Sequence, residues 1–180
     1  MSAIDDIVAQ LPLDQLATEL GATPDEVAEA AEAALPALLG GLEANARDEA
    51  GAASIASALD QHSPELIEAG VDLGQVDTAD GARITQHIFG GNQEQVVQQL
   101  GGVQGGSELI KKLLPILAPI VLSYLAKQVG GRGAGAGGGL IGTVLQEILK
   151  GASQGTTKRG TSAGSIIGDL LGGLLGGGRR

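Results

Sequence analysis

The sequence has no cysteine and no tryptophan, and it holds one phenylalanine and one tyrosine among 180 residues. Disulfide bonds are therefore excluded, and a core must be built from leucine, isoleucine, valine and alanine without large aromatic anchors. The longest apolar stretch, residues 113–126, is interrupted by two prolines and is shorter than the ~17 residues that a transmembrane helix needs. We expect this stretch to be buried in protein.

Basic residues are scarce in the first hundred positions, which hold 18 acidic and 2 basic residues, whereas residues 101–180 hold 3 acidic and 9 basic ones. An acidic body repels phosphate backbones, so nucleic acid is not an expected partner. A solvated acidic surface also keeps an alanine-rich chain soluble. The first residues show no basic and apolar pattern of a secretory signal, so we expect a cytoplasmic protein.

No segment alternates polar and β-branched residues as a strand would, which predicts an all-α fold. We expect a compact bundle of about six to eight short helices. Of the 31 glycines, 18 fall in residues 130–180, which indicates a domain boundary near Gly130. The predicted organisation is an acidic helical domain over residues 1–129 that folds alone, followed by a glycine-rich, basic, partly disordered tail over residues 130–180.

A helix is predicted to begin at Pro24. Thr23 is a good N-cap, Pro24 suits the first helical position, and Glu26 completes a capping box. Upstream, Ala17, Gly21 and Val27 have the spacing of a helix-turn-helix. In that motif the small Ala17 lets the two helices approach, Gly21 forms the turn and Val27 packs the second helix against the first. At Pro36, the pattern predicts either a kink or the start of a second helix.

A weaker copy of this pattern follows when Gly90 is aligned with Gly21, which predicts two divergent helix-turn-helix-like halves at about 13–46 and 84–129. Asn92 then takes the place of a cap, and Ser107 is expected to cap the next helix. Reading DNA requires donors and basic groups on the second helix. The first half instead presents acidic residues there, namely Asp25, Glu26 and Glu29.

Three phrases carry a resemblance to a known family: "ELGATPDEVAEAAEAALPALLGGLEANA" over 19–46, "DGARITQHIFGG" over 80–91 and "LLPILAPIVLSYL" over 113–125. With them the chain resembles the bacterial domain of unknown function 937, up to about Gly131. The resemblance implies a helical bacterial protein without an established activity. It therefore transfers no catalytic residues.

Chemistry-bearing residues are few, and no catalytic, cofactor-binding or metal-binding residue is predicted. His62 and His87 lack the spacing of metal ligands or of an acid–base pair, so His62 is expected at an exposed helix end and His87 at the Gly90 turn. The acidic residues Asp72, Asp77 and Asp80 lack the spacing of a calcium loop and are interpreted as helix caps. The glycines of 129–140 lack the GK[ST] sequence of a phosphate loop and indicate a linker.

Two apolar stripes with the same spacing occur in the tail, at 140–149 and 165–175, and the apolar pattern of the second, from Ile166, begins 26 residues after that of the first, from Leu140. Such a stripe indicates an amphipathic docking helix. Residues 107–129 are apolar on nearly every side, which predicts either cover by a second copy or tail stripe, or the central helix of a monomer. The candidate interaction surface comprises Ile116, Ile120, Tyr124, Leu140, Val144, Ile148, Ile167 and Leu171.

Together these features predict a non-enzymatic helical interaction or scaffold protein that self-associates or docks a protein partner. One alternative is a nucleic-acid-binding protein built on the helix-turn-helix half. A further alternative is a peripheral membrane protein whose tail contacts anionic lipid through Lys158, Arg159, Arg179 and Arg180.

Overall fold

The computed structural model describes residues 3–68, 70–102, 106–130 and 138–155, and their side chains except at 138–140 and 152–155. These ranges contain helices and turns and no strand, which confirms the all-α prediction. Short 3₁₀ turns lie at Leu73–Gln75 and Gly90–Asn92. The helices are α1 Ala3–Gln10, α2 Leu13–Leu20, α3 Pro24–Ala46, α4 Glu49–Gln61, α5 Glu65–Glu68, α6 Thr78–Phe89, α7 Gln93–Gly101, α8 Gly106–Gly130 and α9 Gly138–Gly155.

The start of α3 is the predicted capping box. The Thr23 hydroxyl accepts a hydrogen bond from the Glu26 amide at 3.3 Å, and the Thr23 amide donates to the Glu26 carboxylate at 2.8 Å. The Thr23 hydroxyl also donates to the same carboxylate oxygen at 2.9 Å. The two bonds that the carboxylate accepts, from the Thr23 amide and the Thr23 hydroxyl, favour its charged form and lower the pKa of Glu26. Gly21, with φ of 71°, provides the left-handed turn between α2 and α3.

The prolines do not end their helices. Helix α3 runs through Pro36, and α8 runs through Pro115 and Pro119. Of the two alternatives predicted at Pro36, the start of a second helix is therefore wrong. Each proline lacks an amide hydrogen and so leaves the carbonyl four residues earlier without its helical donor. For Pro119, that carbonyl belongs to Pro115.

Helix α8 is the central helix of the bundle, and every other helix packs against it. Its side chains from Ile116 to Leu125 are all buried. It is also the helix, among the described ones, that is long and apolar enough to cross a membrane, and 78% of its most apolar window is buried inside the protein. The apolar surface of α8 is thus covered within a single chain, which removes the sequence-based argument for a covering second copy.

Helix α9 packs on the body of the protein, mainly against α3 and α4. Its residues Ile141, Val144 and Leu145 are buried in the same core as those of α3 and α8. The side-chain amide of Gln146 donates to the carboxylate of Glu43 on α3 at 3.5 Å. The first tail stripe therefore belongs to the packed body, because its apolar side chains fill the space beside α3 and α4, and packing continues past the predicted boundary at residue 129. Residues 156–180 lie outside the described ranges.

The second predicted half differs from the first at its turn. Gly90 has φ of 53° and ψ of −132° and ends α6, and the chain then makes a 3₁₀ turn. Asn92 consequently has helical backbone angles and makes no side-chain cap hydrogen bond, although it was predicted to do so. Helix α8 begins at Gly106, so Ser107 lies inside its first turn rather than at the cap.

Candidate functional site

A groove lies between α4 and α6, which both pack against α3 and α8. Buried side chains of α3 and α8, Leu42 and Leu122, form part of its lining, and half-buried isoleucines of α6 line it as well. Its volume is about 270 Å³. The residues that line this α4–α6 groove are Leu42, Ser54, Ile55, Ala58, Arg83, Ile84, His87, Ile88 and Leu122.

The α6 side of the groove carries a guanidinium and an imidazole. Arg83 and His87, four residues apart and so on one face of α6, both line the groove and are exposed. Arg83 is one of only two basic residues in the first hundred positions. The α4–α6 groove therefore combines an apolar lining with a guanidinium and an imidazole that can donate hydrogen bonds, and the guanidinium of Arg83 also lies 3.1 Å from the carboxylate of Asp80.

A polar contact links the end of α4 to the start of α6. Nε2 of His62, which follows the last residue of α4, lies 3.1 Å from Oδ2 of Asp80. The other carboxylate oxygen of Asp80 lies 3.1 Å from the guanidinium of Arg83. The His62 side chain is 13% exposed, so His62 is at a helix end as predicted, but it is largely buried rather than exposed.

The second ring nitrogen of His62 fixes the orientation of the imidazole. Nδ1 lies 2.7 Å from the carbonyl oxygen of Ala58, which can only accept, so Nδ1 carries a hydrogen. A protonated imidazole donates to Ala58 and Asp80 together, whereas a neutral ring with its hydrogen on Nδ1 presents a lone pair to the carboxylate. Sequence spacing did not indicate this pair, because His62 and Asp80 are separated by a loop, α5 and a 3₁₀ turn.

A second groove of about 510 Å³ is bordered by the end of α6, by α7 and by the start of α8. It is rich in side-chain amides and has acidic and basic groups in its lining. The lining residues are Gln86, Gly90, Gly91, Gln93, Glu94, Val97, Gln98, Ser107, Glu108 and Lys111. Its glutamines, its two glutamates and Lys111 can hydrogen-bond many polar groups, and its lining includes no histidine.

Tyr124, the single tyrosine of the chain, lies on α8 beside a smaller cavity lined also by Asp6, Lys127 and Gln128. Burial raises the pKa of the Tyr124 phenol above its ordinary value of 10.0, the hydrogen bond with Gln128 lowers it, and the charge of Asp6 raises it. The phenol is thus held in its neutral form. That state suits a structural side chain better than a proton acceptor.

Most residues of the predicted interaction surface lie in or against the core, and the others lie outside the described side chains. Ile116, Ile120, Tyr124 and Val144 are buried, and Ile148 is partly buried against the core. These residues do not form an open surface, because the stripes of α8 and α9 face other helices of the same chain. The side chain of Leu140 and all of Ile167 and Leu171 lie outside the described residues.

Of the three aspartates that were predicted to be helix caps, two cap helices. Asp72 accepts a hydrogen bond from the Gly74 amide, and Asp77 caps α6 through the amides of Ala79 and Asp80. Asp80 is not a cap but the partner of His62. No group of three or more potential metal ligands of the His, Cys, Asp or Glu type occurs in the described part of the chain.

The helix-turn-helix half keeps its acidic face exposed. Ala17 and Val27 are buried between α2 and α3, as the spacing predicts. On the outer side of α3, Asp25, Glu26 and Glu29 are exposed. This face presents negative charge where a DNA-reading helix presents donors and basic groups.

The sequence matches a family of bacterial proteins of unknown function (DUF937) over residues 4–128. The match covers the helices from α1 to α8 almost completely and ends before α9. No curated relative and no solved structure matches the chain.

Proposed function

The chain belongs to this bacterial family of unknown function, and we propose that it is a non-enzymatic docking protein that holds an amphipathic helical segment in the α4–α6 groove. The observation that carries the proposal is the combination of an apolar lining with Arg83 and His87 on the same side of the groove. A helical segment with an apolar stripe and an acidic flank complements both features.

The size and shape of the groove favour side-chain anchors over a small molecule. Its volume of about 270 Å³ lies below the roughly 300–1,000 Å³ typical of ligand and cofactor cavities. Its walls are two helices, and helix-in-groove recognition seats anchors spaced three or four residues apart between such walls. The half-buried Ile84 and Ile88 of α6 have that spacing and supply apolar surface for those anchors.

The contacts of His62, at the end of α4, support a docking role rather than acid–base catalysis. Both ring nitrogens of His62 are engaged, one by the Ala58 carbonyl and one by Asp80. It is therefore not free to exchange a proton with a substrate without breaking a structural contact. His87 lies on the groove itself, where its ring can form hydrogen bonds with a docked segment.

The alternatives have weaker support. Nucleic-acid binding requires an approach to the exposed acidic residues of α3. The peripheral-membrane alternative depends on Lys158, Arg159, Arg179 and Arg180, which lie outside the described residues. We propose that the protein acts in the cytoplasm, where a helical segment of a partner protein or of the chain itself is available to the groove. Self-association through an exposed α8 is not part of this proposal.

The experiment compares binding by the full chain with that of Ile84→Glu, which places a carboxylate in the apolar lining. A partner identified by affinity capture is purified, and its Kd is measured for each variant. Ala82→Glu is the matched control, because Ala82 is exposed on α6 and does not line the groove. We expect Ile84→Glu to weaken binding at least tenfold and Ala82→Glu to leave it unchanged, with both variants folded by circular dichroism. Equal binding by the three proteins would refute the α4–α6 groove as the docking site.

A further inference from the structure

We propose that residues 165–175 of the same molecule dock as a helix in the α4–α6 groove. This inference rests on the proposed function and names the segment that the groove holds. It requires that the segment have the right apolar pattern, that it reach the groove, and that its charges suit the groove.

The apolar pattern is already seen to dock once in this protein. The segment "LIGTVLQEIL" at 140–149 and the segment "IIGDLLGGLL" at 166–175 place apolar residues and a glycine at the same positions. In the first segment the stripe buries Ile141, Val144 and Leu145 against the body. The second segment has a stripe of equal width, with the larger Leu170 at the position of Val144. Burial of its stripe is therefore favoured by the same hydrophobic effect.

The length of chain after α9 is sufficient to reach the groove. Helix α9 packs against α4, which forms one wall of the groove. Residues 156–164 separate α9 from the second stripe, and nine extended residues span about 30 Å. Helix α4 has 13 residues, so it is about 20 Å long, and the connection can therefore pass along its full length.

The charges of the tail complement those of the body both overall and at the groove. The tail after α9 carries Lys158, Arg159, Arg179 and Arg180, and these are attracted to the acidic first half of the chain. Asp169 is the only acidic residue of that tail. On a helix it lies about 60° outside the apolar arc, at the flank of the stripe. There it can face His87 and the guanidinium of Arg83, which it would share with Asp80.

Site-directed disulfide formation tests this arrangement in the full chain, whose natural sequence has no cysteine. When Asp169 faces α6, Gly172 lies on the opposite flank of the stripe and faces α4. The test pair is Ser54→Cys with Gly172→Cys, because Ser54 lines the groove from α4. The control pair is Ala53→Cys with Gly172→Cys, since Ala53 is exposed on α4 but does not line the groove.

We expect the test pair to form a disulfide within one molecule at least ten times faster than the control pair, because the Cα atoms must approach within about 7 Å. Leu171→Asp, which puts a charge in the apolar stripe, should return the test pair to the control rate. Equal rates for the two pairs would overturn the proposal. A disulfide-linked dimer as the main product would also overturn it, by assigning the segment to the groove of a second copy.

The failure of this inference is distinguishable from failure of the docking function. The test pair could react no faster than the control pair while Ile84→Glu still weakens binding of the purified partner. In that case the groove docks a partner helix and not residues 165–175. If Ile84→Glu also binds as well as Ala82→Glu, both proposals fail. A third pair, Ser54→Cys with Asp169→Cys, tests orientation, and its faster reaction would contradict the pairing of Asp169 with Arg83 and His87.

Discussion

Gly81 of α6 lies against the main-chain carbonyl of Pro115 on α8, at the point where Pro119 has removed the helical donor of that carbonyl. A Cβ atom at Gly81 would overlap the Pro115 oxygen and would lie 2.7 Å from its carbonyl carbon and 3.1 Å from Cδ of Pro119. The absence of a side chain thus allows α6 to approach the central helix closely. This approach positions the wall of the α4–α6 groove that carries Ile84 and Ile88.

We predict that Gly81→Ala destabilises the protein although alanine has the better helix propensity. The backbone of α8 must move to admit the methyl group, and such overpacking costs about 1–3 kcal/mol. Gly142→Ala in α9 is the control, because a Cβ there meets nothing within 4 Å. Urea denaturation should show a lower free energy of unfolding for Gly81→Ala and a gain of up to about 1 kcal/mol for Gly142→Ala. A gain at both positions would contradict the close approach of α6 and α8.

Helix α9 is predicted to unfold together with the rest of the core. Leu145 is 0% exposed, so Leu145→Ala should lower the free energy of unfolding by about 2–5 kcal/mol. Leu149→Ala, at a partly buried position on the same helix, should cost less. Thermal melts followed by circular dichroism measure both. A loss for Leu145→Ala no larger than that of Leu149→Ala would show that α9 is separate from the core in solution.

The contact between His62 and Asp80 is predicted to couple α4 to α6. In a double-mutant cycle with His62→Gln and Asp80→Asn, we expect an interaction energy of about 1 kcal/mol, because the two groups lie 3.1 Å apart and are partly buried. Arg83→Gln serves as the control, since Arg83 is 74% exposed and exposed pairs contribute little. Additive losses for His62→Gln and Asp80→Asn would mean that the contact does not stabilise the fold.

Alkaline pH is predicted to destabilise the protein through Tyr124. Burial raises the pKa of this phenol in the folded state above the ordinary value of 10.0. Below that value both states keep the proton, and above it the unfolded chain loses the proton first, so stability falls as pH rises. Tyr124→Phe should weaken this fall of stability with rising pH. The part of the fall that comes from lysine titration should remain. Because the chain has one tyrosine, ultraviolet absorbance of the tyrosinate follows the group directly, and titration at or below its ordinary pKa would contradict the prediction.

Local features of the fold were predictable from the sequence because they depend on residues close along the chain. The caps at Thr23 and Asp77 and the turns at Gly21 and Gly90 use hydrogen bonds or backbone angles within a few residues. Asn92 was mispredicted for a related reason, since the preceding 3₁₀ turn gives it helical angles that a copied spacing does not reveal.

Features that depend on distant contacts were not predictable in this way. The α4–α6 groove arises because two helices pack against the same central helix, and the pairing of His62 with Asp80 follows from that placement. The burial of Val144 on α9 depends on the faces that α3 and α4 leave open. Periodicity identified the apolar stripe at 140–149 but not the surface that covers it.

Isoleucine methyl resonances of the full chain provide the most direct test of the groove as a docking surface. The chain carrying Leu171→Asp, which weakens its own stripe, is titrated with a synthetic peptide of residues 161–180. We expect shifts of the methyl resonances of Ile55, Ile84 and Ile88, which line the groove, and unchanged resonances for Ile7, which is buried in α1. An added Ile84→Glu substitution should abolish the shifts at Ile55 and Ile88. Unchanged resonances for all three groove isoleucines, or shifts confined to other isoleucines, would refute docking in the α4–α6 groove.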